Sequence, residues 1–352
     1  MRIGYGYLTA QHHPDDPRTD VEIYREAIEV AVELEVGGID SVWTSEHHFV
    51  DDGYLPSQLT VLAAIAARTS RIRLGTGVLL APMFDPLHLA EDAATVDLIS
   101  DGRLILGLGI GWRAEEFEGF DVPTGERGSR LEATIAILRQ AWSERLVTGD
   151  GRHFTYDGVN VTPKPARPGG PPIWIGAGAE QAVRRVGRVA DGYLAGPASP
   201  ESLARRIGWA REEAVTAGRD PEAISANLYR PTFAWRDGDA WERIREFAWY
   251  IDWKYGDMTD ARGSQERRRP PRMPAEDEER VRRSMNVGTP EQVAAEILRY
   301  CDVLGDEGTY VARAHFPGLD PEAAATSRRL LVEEVLPLVR ADLPLPTRTP
   351  SE

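Results

Sequence analysis

The stretch Ser45-Glu46-His47-His48-Phe49 sets a carboxylate and two adjacent imidazoles directly behind a strand-like run, residues 37–43. Imidazole titrates nearest to neutrality of the common side chains, so such a pair offers acid–base or hydrogen-bonding chemistry, with the glutamate fixing one ring. Metal binding is the other chemistry to weigh. Zinc needs three or four converging ligands, whereas neighbours in an extended segment point to opposite sides. No HExxH or aspartate-rich constellation accompanies the pair, so no metal is expected. One ring can then enter a site while the other packs or pairs with Glu46. Two packed structural histidines would leave the same pattern in the sequence, and that reading stays open.

Two glycine-rich stretches come next. Residues 107–112, GLGIGW, fail the dinucleotide fingerprint because Trp112 stands where its third glycine belongs. Gly107, Gly109 and Gly111 instead suit close approach of a flat ligand to the backbone. Residues 176–180, GAGAE, join a strand to a helix, and amides at such a junction bind phosphate. A plain strand-to-helix turn reads the same.

What positions these residues is an alternation of short apolar runs with amphipathic stretches. Strands are expected at 2–8, 38–44, 72–80, 103–110, 172–178, 191–196, 224–235 and 308–316. Helices are expected at 21–36, 57–69, 86–100, 130–142, from Glu180, at 201–217, 241–255 and 321–339. Eight near-continuous apolar strands, each followed by a helix, indicate an α/β fold, a (β/α)8 TIM barrel with insertions. The barrel is expected as one domain over residues 1–345, interrupted by an excursion at 145–172 and a charged insertion at 256–285. The insertion is expected to be mobile, a candidate lid or simply a solvated helix. In such barrels the active site lies at the C-terminal ends of the strands. His12, His13, His47, His48 and His315 all fall at that end, whereas His88 opens a helix and His153 lies in the excursion.

A formal charge of −15 over 352 residues argues against a nucleic-acid surface and an anionic membrane. The single cysteine, Cys301, excludes an intrachain disulfide. No run of about 20 apolar residues and no signal peptide are found, so a cytoplasmic protein is expected. Aromatics near the strand ends (Tyr5, Tyr7, Trp43, Phe49, Trp112, Tyr229, Trp235) suggest a hydrophobic small-molecule substrate, although such residues are often only packing.

Assembled, these segments resemble the bacterial luciferase-like monooxygenases, flavin- and deazaflavin-dependent barrel enzymes. The resemblance rests on residues 41–49, 74–112, 115–133, 171–194, 288–297 and 315–324, and leaves 236–285 unplaced. It implies a flavin at the barrel mouth, with Glu46, His47 and His48 as the catalytic motif and His47 as its acid–base group. It further implies a cis peptide at Gly77–Val78 under the ring, close approach at Gly109, and a phosphate cradle of Gly176, Ala177, Gly178 and Ala179. Tyr193 takes the place of an aromatic beside the flavin. Two positions depart from the luciferase pattern: Ile110 replaces an arginine, and the cradle has only backbone donors. The resemblance then implies modest phosphate contacts, or contacts from Arg113, Arg184 or Arg185, and a cofactor that arrives reduced and leaves oxidised. The leading implication is a monooxygenase using reduced FMN from a separate flavin reductase, acting as a homodimer. The deazaflavin coenzyme F-420, used for hydride transfer without oxygen, is the alternative. A non-catalytic flavin-binding partner subunit is a third, against which the intact Glu46-His47-His48 argues.

Overall fold

All eight expected strands form, and they close on themselves. In the computed structural model, which describes residues 1–260 and 267–343, they are β1 (Arg2–Leu8), β2 (Ser41–Thr44), β3 (Arg73–Thr76), β4 (Leu104–Gly109), β5 (Ile173–Gly176), β6 (Gly192–Ala195), β7 (Ser225–Ala234) and β8 (Thr309–Arg313). Each pairs in parallel with the next, from Gly4 opposite Ser41 through Leu228 opposite Tyr310. β8 returns to β1, with Arg2 opposite Thr309, so no edge is left open.

Period-two alternation explains the apolar character of both strand faces. Val42, Leu74, Leu104, Leu106, Leu108 and Ile173 face outward into the main core under the helices. Tyr7, Trp43, Ile105, Trp174, Leu194 and Val311 fill the barrel. Trp43 and Trp174 stack there at 5.1 Å between ring centroids. Gly75 makes the stack possible, because a Cβ on it would stand 2.3 Å from the Trp43 ring.

Helix starts follow local chemistry. Thr19 and Glu22 form a capping box ahead of Asp20–Val36, and Asp85 caps Pro86–Ser100 at a proline start. The expected third strand is broken at the cis Gly77–Val78 bond, after which Leu79–Leu80 pairs with Leu108 and Gly109 of β4. A second cis bond joins Gly6 to Tyr7. The excursion carries a short hairpin, Val147–Thr148 against Asp157–Val159.

The seventh barrel helix needs correcting. Residues 241–255 are helical, within Ala240–Asp260, but the helix between β7 and β8 is Pro290–Leu298. Val293, Ala294 and Ile297 of the latter join the main core. Ala240–Asp260 instead crosses the C-terminal mouth, and Trp241, Ile244, Trp249 and Ile251 build a second core with Phe233, Val281, Met285 and Phe316. Part of the expected insertion, Ala275–Ser284, is a helix belonging to that second core through Val281. Residues 261–266 of the insertion and 344–345 of the expected domain lie outside the described residues. Among the described residues no helix is long and apolar enough to cross a membrane.

Candidate active site

β2 delivers Ser45-Glu46-His47-His48 to the C-terminal mouth, and the two imidazoles diverge as an extended segment requires. Glu46 is fully engaged: Oε1 accepts from the Leu80 amide at 2.9 Å and Oε2 from Gln58 Nε2 at 3.2 Å. It therefore ties β2 to the segment just past the cis Gly77–Val78 bond. His48 turns away, with Nε2 3.5 Å from Glu46 Oε1 and its ring edge-on to Phe120 at 4.8 Å.

His47 turns inward. Its Nδ1 lies 2.8 Å from Glu116 Oε1, which also accepts the His48 amide at 2.9 Å. Glu116 is fully buried and comes from a short helix, Ala114–Gly119, after β4. A carboxylate only accepts, so Nδ1 carries the proton and Nε2 is left to the cavity. Three aromatic rings box the imidazole: Tyr54 at 4.9 Å, Tyr255 at 5.7 Å and Trp112 at 5.8 Å.

The cavity they enclose measures about 390 Å³ and is lined by Glu46, His47, Gly77, Val78, Gly109, Gly176, Ala177 and Gly178, among others. Val78, presented by the cis bond, rises between two bare glycines. A Cβ on Gly109 would stand 2.5 Å from one Val78 methyl, and one on Gly176 would stand 2.8 Å from the other. The result is a narrow apolar ridge on which a flat ring can rest. At its far end Ala179 caps the helix Glu180–Val189 without a side-chain acceptor, leaving the first amides open to an anion. Arg206, on the helix Pro200–Thr216, reaches the same cavity.

Of the sequence candidates, His48, Ala179 and Tyr193 stay off the wall. Tyr193 is buried behind the turn and donates from its hydroxyl to Ala177 O at 2.9 Å, so it supports the cradle from outside. The three expected phosphate arginines are engaged elsewhere. Arg113 clasps the carbonyls of His48, Phe49 and Met258. Arg184 pairs with Glu180 and Glu212, and Arg185 with Glu132. Arg206 is the cavity's own cation, and nothing in the sequence distinguishes it from neighbouring arginines on its helix.

The other mouth histidines are structural. His12 Nδ1 meets Asp20 at 3.1 Å and Nε2 the Asp16 carbonyl at 2.9 Å. His13 packs edge-on to Tyr250 at 4.5 Å, beside a cavity of about 660 Å³ that excludes His47. His315 lies under Arg18 and Arg328, and burial chiefly lowers its pKa to about 4. Around the site itself burial raises the phenols of Tyr7 and Tyr54, and that of Tyr229 to about 12, so all three remain neutral donors.

Comparison with known proteins places the chain in a family. The chain is 38% identical over 172 residues to an F-420-dependent glucose-6-phosphate dehydrogenase of Kineococcus radiotolerans, covering 47% of this chain and 50% of that one. It is 33% identical over 166 residues to the oxygenase component of a flavin-dependent trigonelline monooxygenase of Acinetobacter baylyi, covering 46% of this chain and 45% of that one. Both alignments thus span about half of the relative's own length. The crystal structure of monooxygenase RslO1 from Streptomyces bottropensis superposes with a TM-score of 0.82 at 26% identity, covering 96% of this chain and 99% of that one. The family model for luciferase-like monooxygenases matches residues 1–307, and the chain belongs to that family.

Proposed function

We propose that the protein is a flavin-dependent monooxygenase that takes reduced FMN and oxygen to a hydrophobic organic substrate. The observation that carries this reading is the disposition of His47. Its Nδ1 is held by buried Glu116 while the rest of the ring faces an aromatic-walled cavity above the Val78 ridge. The cavity fits the cofactor: a ridge cleared by Gly109 and Gly176 takes a flat ring, and the uncapped helix start with Arg206 takes a phosphate.

When bound, a reduced flavin would supply the electrons for oxygen activation. The protein's residues do the rest. Val78 would support the ring, and Gly176, Ala177 and Gly178 with Arg206 and the open helix start after Ala179 would hold the phosphate. His47 Nε2 holds or moves a proton at the cavity face, as Glu116 fixes its orientation. Tyr255 and Trp112, stacked at 6.3 Å, form an apolar rim beside His47 that narrows solvent access to it. Glu46 fixes the ridge from below. A separate reductase, a homodimeric assembly and a cytoplasmic setting belong to the same reading.

A second reading, hydride transfer with F-420, is favoured by the 38% identity to a dehydrogenase named for that cofactor. Anaerobic titration with reduced FMN and reduced F-420 side by side, followed by oxygen, separates the two. Tighter binding of FMN with prompt oxygen uptake supports the monooxygenase. Tighter binding of F-420, with oxygen inert, replaces it by the dehydrogenase.

A further inference from the structure

Arg313 ends β8 and is 4% exposed, yet among the described residues it forms no ion pair with a carboxylate. A buried guanidinium is ordinarily paired, because an uncompensated charge out of water is costly. Here Nε has no hydrogen-bond partner among the described residues, and the titratable groups that act on it are chiefly the phenols of Tyr7, Tyr54, Tyr229 and Tyr255, with the uncharged His315 also close. The guanidinium stands 5.8 Å from the Tyr7 ring centre and 5.9 Å from that of Tyr255. Those rings offer a cation–π contact but leave the Nε–H donor without an acceptor. The Tyr7 hydroxyl is likewise buried without a partner.

Arg313 also lines a side cavity of about 230 Å³, which shares Pro197, Tyr229 and Tyr255 with the main one. The walls beyond are apolar, with Ile251, Met285 and Phe316 among them. The one carboxylate there, Asp252, is spent on Arg280 through two contacts of 2.7 Å. The side cavity therefore presents an unpaired planar cation, an orphaned hydroxyl nearby and an apolar body-binding surface.

We propose that the substrate is an organic carboxylate, whose anionic group pairs with Arg313 and whose apolar body occupies the side cavity. Arg supplies a fork that matches a carboxylate in two parallel hydrogen bonds. Tyr7, which lines both the guanidinium and the main cavity, adds a donor on the side nearest His47. The anion thus anchors the molecule beside the wall of Pro197, Tyr229 and Tyr255 that the two cavities share. This assignment rests on the main cavity being the cofactor site, but its test does not need the cofactor.

The probes are phenylacetate and its neutral isostere phenylacetamide, titrated against the cofactor-free protein by calorimetry. We expect the acid to bind at least tenfold more tightly than the amide. Arg313→Gln abolishes that preference, Arg313→Lys keeps part of it, and Tyr7→Phe weakens the acid alone. Circular dichroism confirms that each variant is folded. The acid–amide comparison in the unmodified protein stands even if no Arg313 variant folds. Equal binding of acid and amide overturns the proposal, as does a preference that survives Arg313→Gln. A parallel titration with reduced FMN identifies where a failure lies. If FMN binds normally and the acid does not discriminate, only the carboxylate assignment falls. If Arg313→Gln weakens FMN and leaves the acid unchanged, Arg313 serves the cofactor and the assignment is overturned. If FMN fails to bind the unmodified protein while the acid discriminates, the cofactor reading falls and the carboxylate subsite stands.

Discussion

Replacing Glu116 with glutamine separates positioning from folding at the site. Oε1 accepts from both His47 Nδ1 at 2.8 Å and the His48 amide at 2.9 Å, while Oε2 is buried without a partner. Glutamine can set its carbonyl where Oε1 was and its amide where Oε2 was, so both acceptor geometries persist without the charge. A hydrogen bond to a charged group contributes about 1.5–3 kcal/mol and a neutral one about 0.5–1.5. The loss of about 1–2 kcal/mol of hold on the imidazole becomes roughly 5- to 30-fold in rate if it is felt in the transition state. Stability should fall less than in Glu116→Ala, because His47 and His48 keep their acceptor and only the new amide N–H groups, placed where Oε2 has no partner, are unmet. Glu116→Ala is the contrasting case. It leaves two buried donors unmet, at about 1–3 kcal/mol each, and should lower the denaturation midpoint clearly. The assay is steady-state turnover at saturating reduced cofactor beside urea denaturation of both variants. We expect Glu116→Gln to lower kcat with KM nearly unchanged and stability above that of Glu116→Ala. Full kcat in Glu116→Gln, or a rise in KM alone, would refute the positioning role of Glu116.

Gly109→Ala sets a Cβ 2.5 Å from a Val78 methyl, and overpacking of that kind costs about 1–3 kcal/mol, so cofactor titration should show weakened affinity alongside a modestly reduced Tm. His315 is kept neutral by burial, with a pKa of about 4 against an unfolded value near 6.5. The unfolded chain binds that proton first, so stability falls as pH drops from about 6.5 to 4, by about 3 kcal/mol, and is flat above. His315→Gln should remove that part of the acid sensitivity in urea midpoints measured at several pH values. Lys254 is buried between Asp51 and Asp257, the latter at 2.8 Å, and locks the helix Ala240–Asp260 over the mouth. Lys254→Met removes the buried cation and leaves Asp257 to Arg268 and Asp51 to the Arg268 amide, so it should cost less than the ~3–5 kcal/mol of a fully stranded buried pair, with faster hydrogen exchange in that helix.

The barrel was readable because each strand is an apolar run bounded by turn residues and several helices open on a capping side chain, as at Thr19, Asp85, Ser199 and Asp320. The different neighbours of His47 and His48 matched the alternation expected of an extended segment, although β2 ends at Thr44 and the chain bends at His48. Glu116 was not readable: it is one of several carboxylates between Glu115 and Glu126, and only the fold brings it across to a histidine 69 positions earlier. The helix Pro290–Leu298 had a visible signal, since Thr289-Pro290-Glu291-Gln292 is a capping box with a proline start. The longer amphipathic stretch at 241–255 carries the stronger helical pattern and takes the seventh place on sequence alone. Charge density hid the second core, for Trp241, Trp249 and Val281 lie among arginines and glutamates that face solvent. Arg113 and Arg206 show the same limit in cations. Which arginine clasps carbonyls and which faces a cavity is decided by tertiary packing.

The most direct test of the site is a single-turnover comparison of the unmodified protein with His47→Ala, each loaded to saturation with reduced FMN before oxygen and substrate are mixed in. We expect the FMN dissociation constant to change by less than about threefold, because His47 contributes no phosphate or ridge contact. The rate of substrate oxygenation should fall by about 10²–10⁴, the range of a positioned acid–base group. An undiminished rate in His47→Ala would contradict the assignment of proton transfer to that ring.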